Sequence, residues 1–115
     1  MKKKYIIVTG GAGFVGSNLI KKLLKEQKKI FILSLDNYSS GRKKNHIRDT
    51  RVKYFNSNIK NIFKTLENYK KSISCLFHFG EYSRIYQSFG DFENCFDTNV
   101  VGTNTVFNFC LKHKI

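Results

Sequence analysis

The 115 residues fit one small domain, and a content of 41% hydrophobic and 15% aromatic residues excludes a disordered chain. The formal net charge of +13 invites a nucleic-acid partner, but the basic residues are scattered and no RNA- or DNA-binding motif accompanies them, so they read as a solvated surface. No apolar segment has the length to span a membrane, and Gly10 and Gly11 end the first apolar run too early for a signal peptide.

Cys75, Cys95 and Cys110 are odd in number and lack metal-ligand spacing. That usage suits a reduced, cytoplasmic protein, and no metal site is expected. The chain has no proline, so its turns must rest on Gly, Asn, Asp and Ser.

Tyr5 to Val8 is a short apolar run rich in β-branched residues. Such a run suits a strand buried on both faces of a parallel sheet. After a glycine-rich stretch, Val15, Leu19 and Leu23 recur at helical spacing with Ile20 and Leu24 beside them, while Asn18, Lys21, Lys22 and Lys25 take the other side. Ile30 to Leu35 is a second strand, closed by Asp36 and Asn37 and followed by a polar loop to Asn45. Val52 to Phe55 reads as a short third strand. Lys60 to Lys71 carries Ile62, Phe63, Leu66 and Tyr69 at helical spacing, and Ser74 to Phe79 is a fourth strand. From Asp91 onward, Phe92, Phe96, Val100, Phe107 and Leu111 outline a long helix with Asn99 inside it. Strands alternating with helices predict an α/β fold: a parallel sheet, right-handed crossovers and helices on both faces.

The stretch "TGGAGFVG" joins the first strand to the first helix, with Gly10, Gly13 and Gly16 spaced three apart. Counted from Gly11, it also satisfies G-x-G-x-x-G. The first glycine permits a tight turn. Gly13 leaves room for a pyrophosphate against the backbone, and Gly16 lets the helix pack on the strand. The helix N-terminus offers free N–H groups and a partial positive charge to phosphates. A Walker A loop would need Gly-Lys-Ser/Thr, which is absent. Asp36 lies 20 residues after Gly16 at the end of the second strand. An acidic side chain there accepts from the adenosine ribose hydroxyls of a dinucleotide. A methyltransferase with an adenosyl cofactor would use a similar loop and acid, and it stays open at this point.

Together, "TGGAGFVGSNL", "LDNYSSG", "FHFGEYSR" and "NVVGTN" resemble the extended short-chain dehydrogenase/reductase family, most of all its sugar-nucleotide epimerase/dehydratase branch, which includes UDP-glucose (UDP-galactose) 4-epimerases and dTDP-glucose 4,6-dehydratases. The similarity runs from Tyr5 to about Leu111, and the stretches around His78 and Asn99 set it apart from a methyltransferase. The resemblance implies a Rossmann-type three-layer fold with strand order 3-2-1-4, forming one NAD(P)-binding domain over residues 1–115. It implies NAD as cofactor in preference to NADP, because Asp36 would repel a 2′-phosphate, and a nucleotide-sugar substrate.

Carried over residue by residue, the resemblance assigns Gly10, Gly11, Gly13 and Gly16, with the amides of Phe14 and Val15, to the pyrophosphate. Asp36 and Asn37 would hold the adenosine ribose, with Ser39, Ser40 and Gly41 around the phosphate edge. Asn58 and Ile59 stand at the adenine, where the family usually has Asp before an aliphatic residue. Phe79, Gly80 and Glu81 would line the cofactor where the family often has a pair of small residues, and Ser83 and Asn99 look like further cofactor-side contacts. His78 reads as a hydrogen-bonded scaffold residue rather than a base.

The family's chemistry resembles hydride transfer aided by a Tyr-x-x-x-Lys pair and a nearby Ser or Thr. Here Tyr5, Tyr38, Tyr54, Tyr69, Tyr82 and Tyr86 are followed four residues later by Thr9, Arg42, Asn58, Ile73, Tyr86 and Gly90. No catalytic residue is therefore assigned. The expectation is the N-terminal, NAD-binding part of a longer enzyme, ending before a fifth strand and without a substrate domain. Its alternatives are a non-catalytic nucleotide-binding module and part of a related reductase. Self-association is expected, as a homodimer or through an exposed edge of the fourth strand.

Overall fold

A computed structural model describes residues 2–115. Four strands, β1 (Lys4–Thr9), β2 (Ile30–Asp36), β3 (Val52–Asn56) and β4 (Ile73–His78), form one parallel sheet in the order β3-β2-β1-β4. Tyr5 pairs with Phe31 and Thr9 with Leu35 on one side of β1, while Thr9 meets His78 on the other. The carboxyl ends of β1, β2 and β4 therefore come together, which is where ligands of such sheets bind.

Alternation along the strands divides the core. Ile6 and Val8 of β1 and Ile30 and Ile32 of β2 pack under Ile20 and Leu24 of α1 (Phe14–Glu26). Ile7, Leu33 and Leu35 face the opposite way, onto Ile59, Ile62, Leu66, Val106 and Phe109. The result is a three-layer Rossmann-type domain, as the sequence predicts.

Two helical expectations need correction. The helix expected over Lys60–Lys71 is a 3-10 turn, Ile59–Asn61, running into a short α2 (Ile62–Thr65). Beyond Thr65 the chain tightens into turns, with Tyr69 N donating to Leu66 O and Ser72 N to Tyr69 O. Ile62 and Leu66 are fully buried, whereas Tyr69 packs edge-on against Tyr5. The tightening carries that ring toward β1.

The long helix from Asp91 is built of three pieces: α4 (Phe92–Phe96), a π-helical segment (Asp97–Gly102) and α5 (Thr103–His113). A further short helix, α3 (Ile85–Ser88), precedes it. The apolar stripe that outlined the helix faces outward: Phe92, Phe96, Val100, Phe107 and Leu111 are all exposed. The core takes Gly102, Val106 and Phe109 instead. Both sets have helical spacing, and Ile59 selects between them. A Cβ on Gly102 would lie 2.5 Å from Ile59 Cδ1, so the helix packs directly on the Ile59 side chain, which a larger residue would have to push aside.

Candidate functional site

A cleft of about 370 Å³ opens at the carboxyl ends of the strands, within the size range of small-molecule sites. Every site residue predicted from the sequence lines it except Gly11, Gly41 and Asn99.

The glycines divide their work. Gly10 has φ of +71°, and a Cβ on it would sit 2.7 Å from the carbonyl carbon and oxygen of Phe79, so the turn needs glycine twice over. A Cβ on Gly16 would lie 2.2 Å from Gly10 O, which the helix start cannot accommodate. Gly13 is different. Its φ is −82°, open to any residue, and a Cβ there would meet only Gly10 O, at 3.3 Å. The fold leaves space at Gly13 that no atom of the chain fills. α1 begins directly beyond it, with no side-chain cap and no acidic residue in its first turn. The first N–H groups of such a helix have no partner within the helix, and their dipole favours an anion.

Asp36, 8% exposed, closes the other side of the turn. Its Oδ2 accepts from Ala12 N at 3.0 Å and its Oδ1 from Tyr38 N at 2.8 Å. A carboxylate has about four lone-pair sites, so two remain for hydroxyls presented from the cleft. Gly41 supports Asp36 from behind: a Cβ there would come within 2.7 Å of Asp36 Oδ2. Gly11 packs on β2, where a Cβ would strike Ser34. These two glycines shape the site without lining it.

Asn58 lines the cleft and also caps its own 3-10 turn, its Oδ1 accepting from Lys60 N at 3.0 Å. Asn99 turns away from the cleft. Its Oδ1 accepts from Tyr82 N at 2.7 Å and its Nδ2 donates to Tyr82 O at 2.9 Å, so both ends of the amide hold the loop after β4. Its helical neighbours Asn94 and Thr98 line the cleft, together with Leu35, Ser57, Tyr82 and Arg84, none of which the sequence singled out. The motif around Asn99 marked the right turn of helix. Within the π segment it is Thr98 rather than Asn99 that lines the cleft.

Burial and the Asp91 carboxylate push the Tyr82 phenol up, so at neutral pH it is a donor rather than a base. His78 is half-buried and hydrogen-bonded through both ring nitrogens, to Thr9 and Thr103, matching the scaffold role expected for it. Burial lowers its pKa, with Glu81 acting in the opposite direction. Among the described residues no group of three or more His, Cys, Asp or Glu is placed to hold a metal ion. No helix there is long and apolar enough to cross a membrane.

With this geometry, residues 7–115 match the model of the 3-beta hydroxysteroid dehydrogenase/isomerase family. The chain belongs to that family. Its relatives include a dTDP-D-glucose 4,6-dehydratase from Dictyostelium discoideum, 29% identical over 96% of this chain and 26% of the relative. A UDP-glucose 4-epimerase from Lactobacillus helveticus is 31% identical over 84% of this chain and 28% of its own. Among solved structures, UDP-glucose 4-epimerase from Thermotoga maritima, with UDP-glucose, superposes with a TM-score of 0.86 over 96% of this chain and 35% of that one, at 24% identity. UDP-glucose 4-epimerase from Thermus thermophilus, in complex with NAD, gives 0.83 at 22% identity. These two likenesses establish the shared fold. The chain spans roughly a quarter to a third of the length of the relatives it matches.

Proposed function

We propose that these 115 residues are the NAD-binding portion of a sugar-nucleotide epimerase or dehydratase. The observation that carries this reading is the unfilled space at Gly13, set between an uncapped helix N-terminus and the Asp36 carboxylate. The residues present fit a dinucleotide. The amides of Phe14, Val15 and Gly16 would hold its pyrophosphate, and the remaining lone pairs of Asp36 its adenosine ribose hydroxyls. Asn58 and Ile59 would flank the adenine, and Phe79, Gly80, Glu81 and Ser83 the other half.

Bound NAD would supply a hydride acceptor, allowing transient oxidation of a nucleotide sugar. The chain's own residues bind and orient, and the Gly10–Phe79 contact fixes the two walls of the cleft against each other. No Tyr-x-x-x-Lys pair is present in the sequence, so proton transfer is not assigned to any residue here. The three free cysteines suit a reducing, cytoplasmic setting.

Calorimetric titration with NAD and with NADP tests the reading. NAD should bind more tightly, because Asp36 faces the position of a 2′-phosphate. Tighter NADP would overturn the assignment of Asp36. With UDP- and dTDP-sugars plus NAD, the 115 residues alone should show no turnover. Measurable turnover would require a catalytic group not identified here.

A further inference from the structure

We propose that His78 is a positioning residue that holds the Phe79–Gly80 wall of the cleft only while its ring is neutral, so that acid loosens the dinucleotide site. The inference rests on the dinucleotide reading for its effect on binding and on hydrogen-bond geometry alone for its mechanism.

Thr9 ends β1 fully buried. Its Oγ1 accepts from Phe79 N and from Gly80 N, each at 3.0 Å. It also lies 2.6 Å from His78 Nδ1. A hydroxyl has two lone pairs and one proton. The two amides point at both lone pairs, Phe79 N sharing itself with Thr9 O at 3.1 Å, and the hydroxyl proton is left for Nδ1. Nδ1 is therefore the acceptor nitrogen. The ring proton sits on Nε2, which donates to Thr103 Oγ1 at 3.1 Å. The contacts thus define one neutral tautomer.

A second ring proton has no place in this arrangement. Nδ1–H would point at an oxygen with no free lone pair, and the buried Thr9 proton would lose its acceptor. The Phe79 amide, which keeps its bond to Thr9 O at 3.1 Å, then releases Oγ1, and the wall loses one of its three hydrogen bonds to Thr9. Phe79 and Gly80 line the cleft, and they press so closely on Gly10 that a Cβ there would lie 2.7 Å from Phe79 O and 2.9 Å from Gly80 N. Displacement of this wall passes directly to the glycine turn. The groups facing the ring are Thr9 from β1, Thr103 from α5 and, as the charged one, Glu81 from the loop. Glu81 favours the cation and burial opposes it, with burial the larger effect. Asp97, on the helical segment preceding Thr103, is paired with Lys60.

The test uses the full chain and His78→Asn, which keeps an acceptor oxygen near the Nδ1 position and cannot gain a proton. NAD affinity of the unmodified chain should fall about fivefold between pH 7.5 and pH 5, the loss expected for one hydrogen bond. In His78→Asn it should stay level, and an equal fall in both chains would overturn the proposal. Nitrogen-15 spectra without ligand separate the two readings. The Phe79 and Gly80 amides should titrate together with the His78 ring, whose proton should reside on Nε2 at neutral pH. Stationary amides during ring titration, or a proton on Nδ1, would overturn the proposal even if the variant fails to fold. If NAD binds at no pH, the dinucleotide reading fails and the amide titration still decides the role of His78.

Discussion

The Ala12 amide donates to Asp36 Oδ2 over 3.0 Å, so the acid that ends β2 also fastens the glycine turn that follows β1. One carboxylate thereby braces the glycine turn while lining the cleft. Asp36→Ala should weaken NAD binding about ten- to a hundredfold, from lost charged hydrogen bonds on the order of 1.5–3 kcal/mol. Asp36→Asn, which keeps one acceptor, should lose less. Calorimetry on both variants, with circular dichroism to confirm folding, checks the order.

Gly13 and Gly16 should respond oppositely to added side chains. Gly13→Val should keep its melting temperature within a few degrees and lose NAD binding, because the new methyls enter space that only a ligand would use. Gly16→Ala should destabilise the chain outright, since its Cβ would lie 2.2 Å from Gly10 O. Thermal melts and NAD titrations on the pair separate a ligand glycine from a packing glycine.

The two apolar sets of the C-terminal helix should differ as sharply. Phe109 is fully buried against Phe63, and Phe109→Ala should cost about 3–5 kcal/mol. Phe107 is 62% exposed, and Phe107→Ala should change stability by no more than about 0.5 kcal/mol. Urea unfolding measures both. The outward stripe and the open edge of β4 should instead promote self-association, visible as concentration-dependent elution in size-exclusion chromatography. A monomer at all concentrations would remove that expectation.

Stability should fall on the acid side through His78. Burial lowers its folded pKa below the ordinary value of 6.5, so the unfolded chain takes up the proton first. The contribution is complete above about pH 6.5 and declines as pH falls toward the folded value. Urea midpoints between pH 8 and pH 5 should show this decline in the unmodified chain and less of it in His78→Asn.

What was legible in the sequence was local. The spacing of Gly10, Gly13 and Gly16 and the position of Asp36 follow from how one strand must turn into one helix, and all four residues line the cleft. Strand order and layers followed from the β-α alternation and the family likeness together. The roles of Gly11, Gly41 and Asn99 were not legible, because their contacts are made by Ser34, Asp36 and Tyr82, partners that only the fold brings near. The buried face of α5 was hidden for a similar reason. Phe107 and Phe109 are equally apolar, and the approach of Gly102 to Ile59 decides which of them turns inward.

The central claim is that NAD binds across the turn between β1 and α1, against Asp36. The most direct measurement is a titration of the nitrogen-15-labelled chain with NAD, read residue by residue. Saturable shifts should concentrate in the amides of Gly10 to Gly16 and of Asn37, and disappear in Gly13→Val. An absence of saturable shifts, or shifts centred elsewhere and unaffected by Gly13→Val, would contradict the account.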